Sequence, residues 1–418
     1  MKKSLFTLVA VLLCAVIMLG ILTSCTDNKA PAYDENNTEI EIPENGKNTE
    51  NTESTGDKTV AEPFDLSDVE IDKINFYVPS GEQTGHIENN GEMLVPEYVL
   101  KVNGVPISVE EFRYYYLTLK RSMDGDDDTL WSADAPEENR LTEEDVKSLE
   151  NQTLNAIKQV YVYQTLATKY GLTITEEEQT EIDTYVQQVI DTMNVEGSEL
   201  TYEDALVLDN LTDGLFRYTM SLNFIANKIF DYLYFSENAP LAYNDAKMME
   251  AMNDLGYVRT QQLLVKFPDA PTEGTEEEKA AAVEAGKTEA KAKAEEALAK
   301  INAGEDFMTV VGEYNDDPGM DYYGEDGYYF TSGTMVEEYE AASFALEEGA
   351  VSDIVETSYG YHIIKRMPLE LDYIKTNASE YFYNEYMKDF FAKLEATFDN
   401  VTVEYAPEYE FVSPLTVK

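Results

Sequence analysis

Cysteine and histidine are almost missing from this chain. Its 418 residues include two cysteines, Cys14 and Cys25, and two histidines, His86 and His362. So few of each excludes a disulfide framework and a Cys/His zinc cluster. Basic residues are scarce too, 30 against 82 acidic ones, which leaves a formal net charge of −52. A chain this acidic repels phosphate backbones, so no nucleic-acid partner is expected. No cofactor or metal is expected either. Hydrophobic residues still make up 43% of the chain, enough to build real cores. At about 150 residues per domain, the length suggests two or three domains.

The N-terminus has one long apolar run, Leu5 to Leu22, behind Lys2 and Lys3. It ends in Leu22-Thr23-Ser24-Cys25. A basic start, an apolar stretch and small residues before a cut site read as a secretory signal over residues 1–24. Small residues directly before a cysteine resemble the lipobox of bacterial lipoproteins. That resemblance implies a lipid on Cys25 that anchors the chain to the outer face of the cytoplasmic membrane. The alternative is an uncleaved apolar anchor. Once Cys14 leaves with the signal and Cys25 carries lipid, the folded part has no thiol nucleophile. Residues 25–95, dominated at first by Asn, Glu and Thr, are expected to be a disordered tether, with His86 in a solvated loop.

Order is expected from residue 96. Val99-Leu100-Lys101-Val102 reads as a strand and Asn103-Gly104 as a turn. Ser108 to Glu111, Thr142 to Asp145 and Thr175 to Glu178 read as capping boxes that open helices. Between the first two lies an acidic loop, Asp124-Gly125-Asp126-Asp127-Asp128. Its alternate aspartates suggest calcium spacing, but the glycine and terminal glutamate of such a loop are missing, which favours a solvated loop. Residues 96–250 are therefore a helical unit. The pattern then changes to a strand at Tyr257–Lys266, a capped Ala-faced helix from Thr275, and two β segments near Ser352–Thr357 and Tyr361–Arg366. Residues 251–368 are thus a compact α+β unit with a small antiparallel or mixed sheet flanked by helices. Residues 369–418 return to helix and a short strand, whose aromatic stripe (Tyr383, Met387, Phe390, Phe391, Leu394, Phe398) is expected to pack on the helical unit. The fold class is multidomain: a mainly α body with an α+β domain inserted in it.

Several blocks of the α+β segment carry a family resemblance. They are Val258–Lys266, Gly304-Glu305-Asp306-Phe307, Tyr314–Asp317, Ser332–Leu346, Gly349-Ala350-Val351-Ser352 and Ser358–Ile364. In these the segment resembles a parvulin, the small peptidyl-prolyl isomerase domain. The helices of residues 98–234 are similar, more weakly, to the chaperone segment of SurA-like proteins. Lipobox, helical segment, parvulin domain and C-terminal helix together resemble the PrsA-like foldase lipoproteins.

The resemblance implies a peptidyl-prolyl cis–trans isomerase that acts as a foldase outside the cytoplasm. It implies unfolded or partly folded secreted polypeptides with X–Pro bonds as partners. Met335 and Tyr339 fall where the family floors its proline pocket, and Phe344 nearby is expected in the core. Thr357 and His362 match the family's hydrogen-bonded hydroxyl and second histidine. Asp317 falls where some parvulins have Cys and others Asp. Two departures stand out. Gln262 replaces the family's first histidine, and the loop Gly324–Phe330 lacks the usual Leu between its glycines. The rival reading is a chaperone whose parvulin domain is weak or inactive, with Gln262 as its best argument.

Overall fold

The computed structural model describes residues 63–418 except 80, 82–83, 196–197 and 199. The signal segment 1–24, the lipidation candidate Cys25 and the tether up to residue 62 lie outside the described residues. Contacts divide the chain into one unit running up to Leu241 and resuming over Tyr386–Lys418, and a second spanning Ala242–Glu385.

The first unit opens with the hairpin β1 (Ile87–Asn89) and β2 (Glu92–Leu94), then β3 (Leu100–Val102) and β4 (Val105–Ile107). Its helices are α1 (Val109–Asp124), α2 (Glu143–Tyr170), α3 (Glu176–Met193), α4 (Tyr202–Leu208) and α5 (Asp213–Tyr234). Each start is explained by a side chain that accepts an otherwise unpaired N–H: Ser108, Thr142, Thr175, Thr201 and Thr212. At Thr142, Thr175 and Thr201 the reciprocal bond from the third residue is also present.

Here the expectation of a tether as far as residue 95 is corrected. Residues 63–95 contain apolar anchors as well as polar filler. Phe64 meets Phe390 edge-on at 5.8 Å, and Phe76 stacks on Tyr161 at 5.7 Å. Ile74 and Ile87 are buried. His86 is also more than a loop residue, since its backbone exchanges two 2.9 Å hydrogen bonds with Lys418.

The acidic loop after α1 is occupied by cations of its own unit. Lys120 donates to Asp124 at 2.6 Å and also to Asp128, Trp131 Nε1 donates to Asp124 at 2.7 Å, and Arg121 holds Asp126 at 2.8 Å.

The second unit holds α6 (Asp245–Asp254), β5 (Val258–Lys266), α7 (Glu276–Asn302), α8 (Phe307–Tyr314), α9 (Pro318–Tyr323), β6 (Tyr328–Phe330), α10 (Glu337–Ala345), β7 (Val355–Glu356), β8 (Gly360–Met367) and α11 (Leu371–Thr376). The unit boundary then falls within α12 (Ala378–Phe398), and β9 (Val403–Tyr405) pairs with β3 in the first unit. The second unit is wider than residues 251–368. It takes in α6 and α11, which Lys375 and Asp245 tie together at 3.0 Å.

Its sheet has the order β6-β5-β8-β7 and is antiparallel throughout. Successive strand residues face opposite sides, and the burial follows that rule. Leu263, Val265, Tyr361 and Ile363 point to one face, where Ala290, Ala294 and Ala297 of α7 and Phe307, Val310 and Val311 of α8 cover them. The alanines repeat at helical spacing, so α7 lies close on the sheet. The alternate positions turn to the other face, where Val258, Phe330, Tyr339 and Ile364 form a smaller core. Gln262 and His362 belong to this second face.

Candidate active site

The register of β5 and β8 sets Gln262 opposite Ile364 and Leu264 opposite His362. Gln262 and His362 are therefore diagonal neighbours on one face, within reach for long side chains. Their side chains meet, with His362 Nδ1 at 2.6 Å from Gln262 Oε1. The other ring nitrogen, Nε2, lies 2.8 Å from Thr357 Oγ1. Gln262 Nε2 donates to Asp317 Oδ2 at 2.7 Å. Four of the residues expected from the sequence thus form one continuous chain: Thr357, His362, Gln262 and Asp317.

The direction of that chain follows from its chemistry. A carboxylate only accepts, so Gln262 must turn its NH2 toward Asp317 and its oxygen toward His362. The imidazole then carries its proton on Nδ1 and accepts at Nε2, which makes the Thr357 hydroxyl a donor. The Tyr359 N–H at 3.1 Å from Thr357 Oγ1 fits, because it takes an acceptor site of the same oxygen. His362 is 4% exposed, and burial pushes its pKa down from 6.5 to about 4, opposed in part by Asp317. The ring is neutral at physiological pH.

Tyr339 stands beside this chain. Its ring meets the His362 imidazole edge-on at 5.4 Å, and its hydroxyl pairs with Thr260 Oγ1 at 2.8 Å. Burial raises its pKa well above the ordinary tyrosine range, so it stays a phenol. Met335 is half-buried against the core of Val258, Phe330, Tyr339 and Ile364. Phe344 departs from expectation. It touches Phe330 edge-on but is 41% exposed, because α10 turns that position away from the small core.

Two participants escaped the sequence reading. Thr260 sits two residues before Gln262, and strand periodicity alone places it on the same face. Tyr328 donates its hydroxyl to Asp317 Oδ2 at 2.7 Å. Its loop, Gly324–Phe330, stood out only for lacking the usual Leu between its glycines, and nothing there marked Tyr328 itself. Outside the chain, Arg259 is buried and fixes the loop before β6 through Asp326 O at 2.7 Å and Glu325 O at 2.9 Å.

Residues 263–368 match the family described as Rotamase: PPIC-type PPIASE domain. This segment is a parvulin-type domain. Over 72 residues the chain is 50% identical to the foldase protein PrsA of Geobacillus kaustophilus, covering 17% of this chain and 26% of that one. It is 42% identical over 73 residues to the foldase protein PrsA of Bacillus subtilis, covering 18% of this chain and 25% of that one. The chain therefore spans about a quarter of the length of the curated relatives it matches. The crystal structure of PrsA from Bacillus subtilis aligns over 63% of this chain and 89% of that chain, at 19% identity and a TM-score of 0.23. The hydrogen-bonded chain from Thr357 to Asp317 spans much of this parvulin domain. Only Gln262 lies just before the matched segment.

Proposed function

We propose that this protein is a peptidyl-prolyl cis–trans isomerase that serves as a foldase for secreted polypeptides. Rotation about an X–Pro bond is slow, tens to hundreds of seconds unaided, because amide resonance is lost as the bond twists. No covalent bond breaks, so the reaction needs no nucleophile. It needs a surface that holds the proline ring and favours the twisted amide over the planar one. Half-buried Met335 supplies an apolar floor on which a proline ring can rest, and Tyr339, 3% exposed, backs it from the core. The chain of Thr357, His362, Gln262 and Asp317 supplies fixed dipoles that do not reorganise as the amide turns. That chain, assembled beside Tyr339, is the observation that carries the reading.

Gln262 does not break the scheme. It joins its two neighbours with one accepted and one donated hydrogen bond, and it needs no proton of its own. It also favours the second reading, a chaperone with a weak domain, since glutamine cannot titrate. A refolding assay separates the two, using a client whose slow phase is X–Pro isomerisation. The isomerase reading expects catalytic amounts of the chain to speed that phase, and expects Met335→Ala and His362→Ala to remove most of the gain. A slow phase left unchanged while aggregation falls would support the chaperone instead.

Anchoring through lipid on Cys25 completes the proposal and places the foldase on the outer face of the bacterial cytoplasmic membrane. Its support is the lipobox-like Leu22-Thr23-Ser24-Cys25. Mass spectrometry of the mature N-terminal peptide tests it; an unmodified Cys25 or an intact signal would refute it.

A further inference from the structure

The strongest unassigned feature is the way Asp317 is held. Its Oδ2 takes two donors, Gln262 Nε2 and the Tyr328 hydroxyl, each at 2.7 Å. Its Oδ1 takes the Gly319 N–H at 3.0 Å. Both carboxylate oxygens are therefore pinned, although the residue is only half-buried. Two glycines admit the tyrosine. A Cβ on Gly319 would collide with the Tyr328 hydroxyl, and a Cβ on Gly327 would collide with the carbonyl of Thr260. Gly327 also has φ +68°, which brings the chain onto β5 just before Tyr328. The backbone is thus cleared at the two places this side chain needs.

We propose that Tyr328 is a positioning residue for the isomerase site, fixing through Asp317 the direction of the whole hydrogen-bonded chain. The inference rests on the isomerase reading for its effect on rate. In this account Tyr328 touches neither the proline nor the rotating bond. Its hydroxyl holds Asp317 in the rotamer that receives the Gln262 amide. Without it, the Gly319 N–H still holds Oδ1, but Oδ2 of this half-buried carboxylate keeps only the Gln262 amide and water competes for it, which weakens the acceptor that sets the amide's orientation. A flipped Gln262 presents NH2 to His362 Nδ1. The imidazole must then carry its proton on Nε2, and Thr357 changes from donor to acceptor. One hydroxyl on β6 therefore controls the proton pattern at the far end, at Thr357 just after β7 and His362 on β8.

The experiment uses the full chain labelled with ¹⁵N in its imidazoles. Only two histidines exist, so His86→Gln assigns the His362 signals. The wild type is expected to show a single tautomer, with Nδ1 protonated. Tyr328→Phe removes only the hydroxyl. It is expected to give a tautomer mixture and a kcat about 3- to 10-fold lower, with KM unchanged, as for losing one ordinary hydrogen bond behind the site. Gly319→Ala is the second variant, because it pushes the Tyr328 hydroxyl away while substituting neither Tyr328 nor Asp317, and it decides the matter should Tyr328→Phe not fold. A wild-type imidazole spectrum in the folded variants would overturn the proposal, even if their activity fell. If the wild type speeds no X–Pro peptide, the isomerase reading fails by itself, and the tautomer still decides whether Tyr328 positions the chain.

Discussion

Acid should weaken the parvulin domain through His362 in a window that can be calculated. The folded-state pKa is about 4 against an ordinary 6.5, because burial disfavours the imidazolium. Between those values the unfolded chain holds a proton that the folded one does not. Stability therefore rises with pH across the window, and it is lost as pH falls from about 6.5 toward 4. The full difference is roughly 3 kcal/mol, at a slope of up to about 1.4 kcal/mol per pH unit. His362→Asn keeps a polar side chain but cannot titrate. It shifts stability by a constant, through the lost bonds to Thr357 and Gln262, and removes the slope. Other groups titrate in acid as well, among them Asp306 and Glu340, whose pKa values lie below the ordinary carboxylate range. They are common to both proteins and cancel in the difference. The probe needs care, because the one tryptophan, Trp131, lies in the other unit. Amide hydrogen exchange of β5 and β8 reports on the domain that holds His362. Wild type and His362→Asn with parallel profiles from pH 7 to 4.5 would refute the account of a buried, neutral imidazole.

The helical unit holds a carboxyl with the opposite behaviour. Burial, reinforced by Glu110, raises the pKa of Glu111 to about 8. Here the unfolded chain ionises first, so stability falls as pH rises from about 4.5 to 8. Glu111→Gln should bring no gain near pH 4.5 and roughly 3 kcal/mol at pH 7, read from Trp131 fluorescence in urea. Lys120→Met strands Asp124, whose side chain has 0% exposure, and should cost about 3–5 kcal/mol in the same assay. Gly327→Ala forces a left-handed backbone and a collision with Thr260. It should cost about 1–3 kcal/mol and speed amide exchange where β6 pairs with β5.

What could be read in the sequence depended on how local the signal was. Helix starts were legible at Thr142 and Thr175 because a capping box lies within four residues and its bonds form there regardless of the rest. The β5 and β8 strands were legible because their short apolar runs, Leu263-Leu264-Val265 and Ile363-Ile364, are local signals as well. The end of the tether was misplaced because Phe64, Phe76 and Ile87 are isolated apolar residues in a polar stretch. What orders them is distant in sequence: Phe390, Tyr161 and the last residues of the chain. In the site, Gln262, Asp317, Thr357 and His362 were identified by family resemblance, position by position. Their directed hydrogen bonds were not legible, because they depend on the β5–β8 register and on the turn that delivers Asp317. Tyr328 was hidden for a further reason. Its role comes from two absent side chains, at Gly319 and Gly327, and composition does not show what an absence makes room for.

The central claim is that the surface at Met335, backed by buried Tyr339 and beside the chain from Thr357 to Asp317, speeds rotation about X–Pro bonds. Exchange spectroscopy on a short X–Pro peptide tests it without a coupled enzyme or a client. With a small fraction of the full chain added, cis–trans cross-peaks should appear at mixing times far shorter than the unaided tens of seconds, and should fade with Met335→Ala. The same cross-peaks with and without the chain, across peptides that vary the residue before proline, would contradict it.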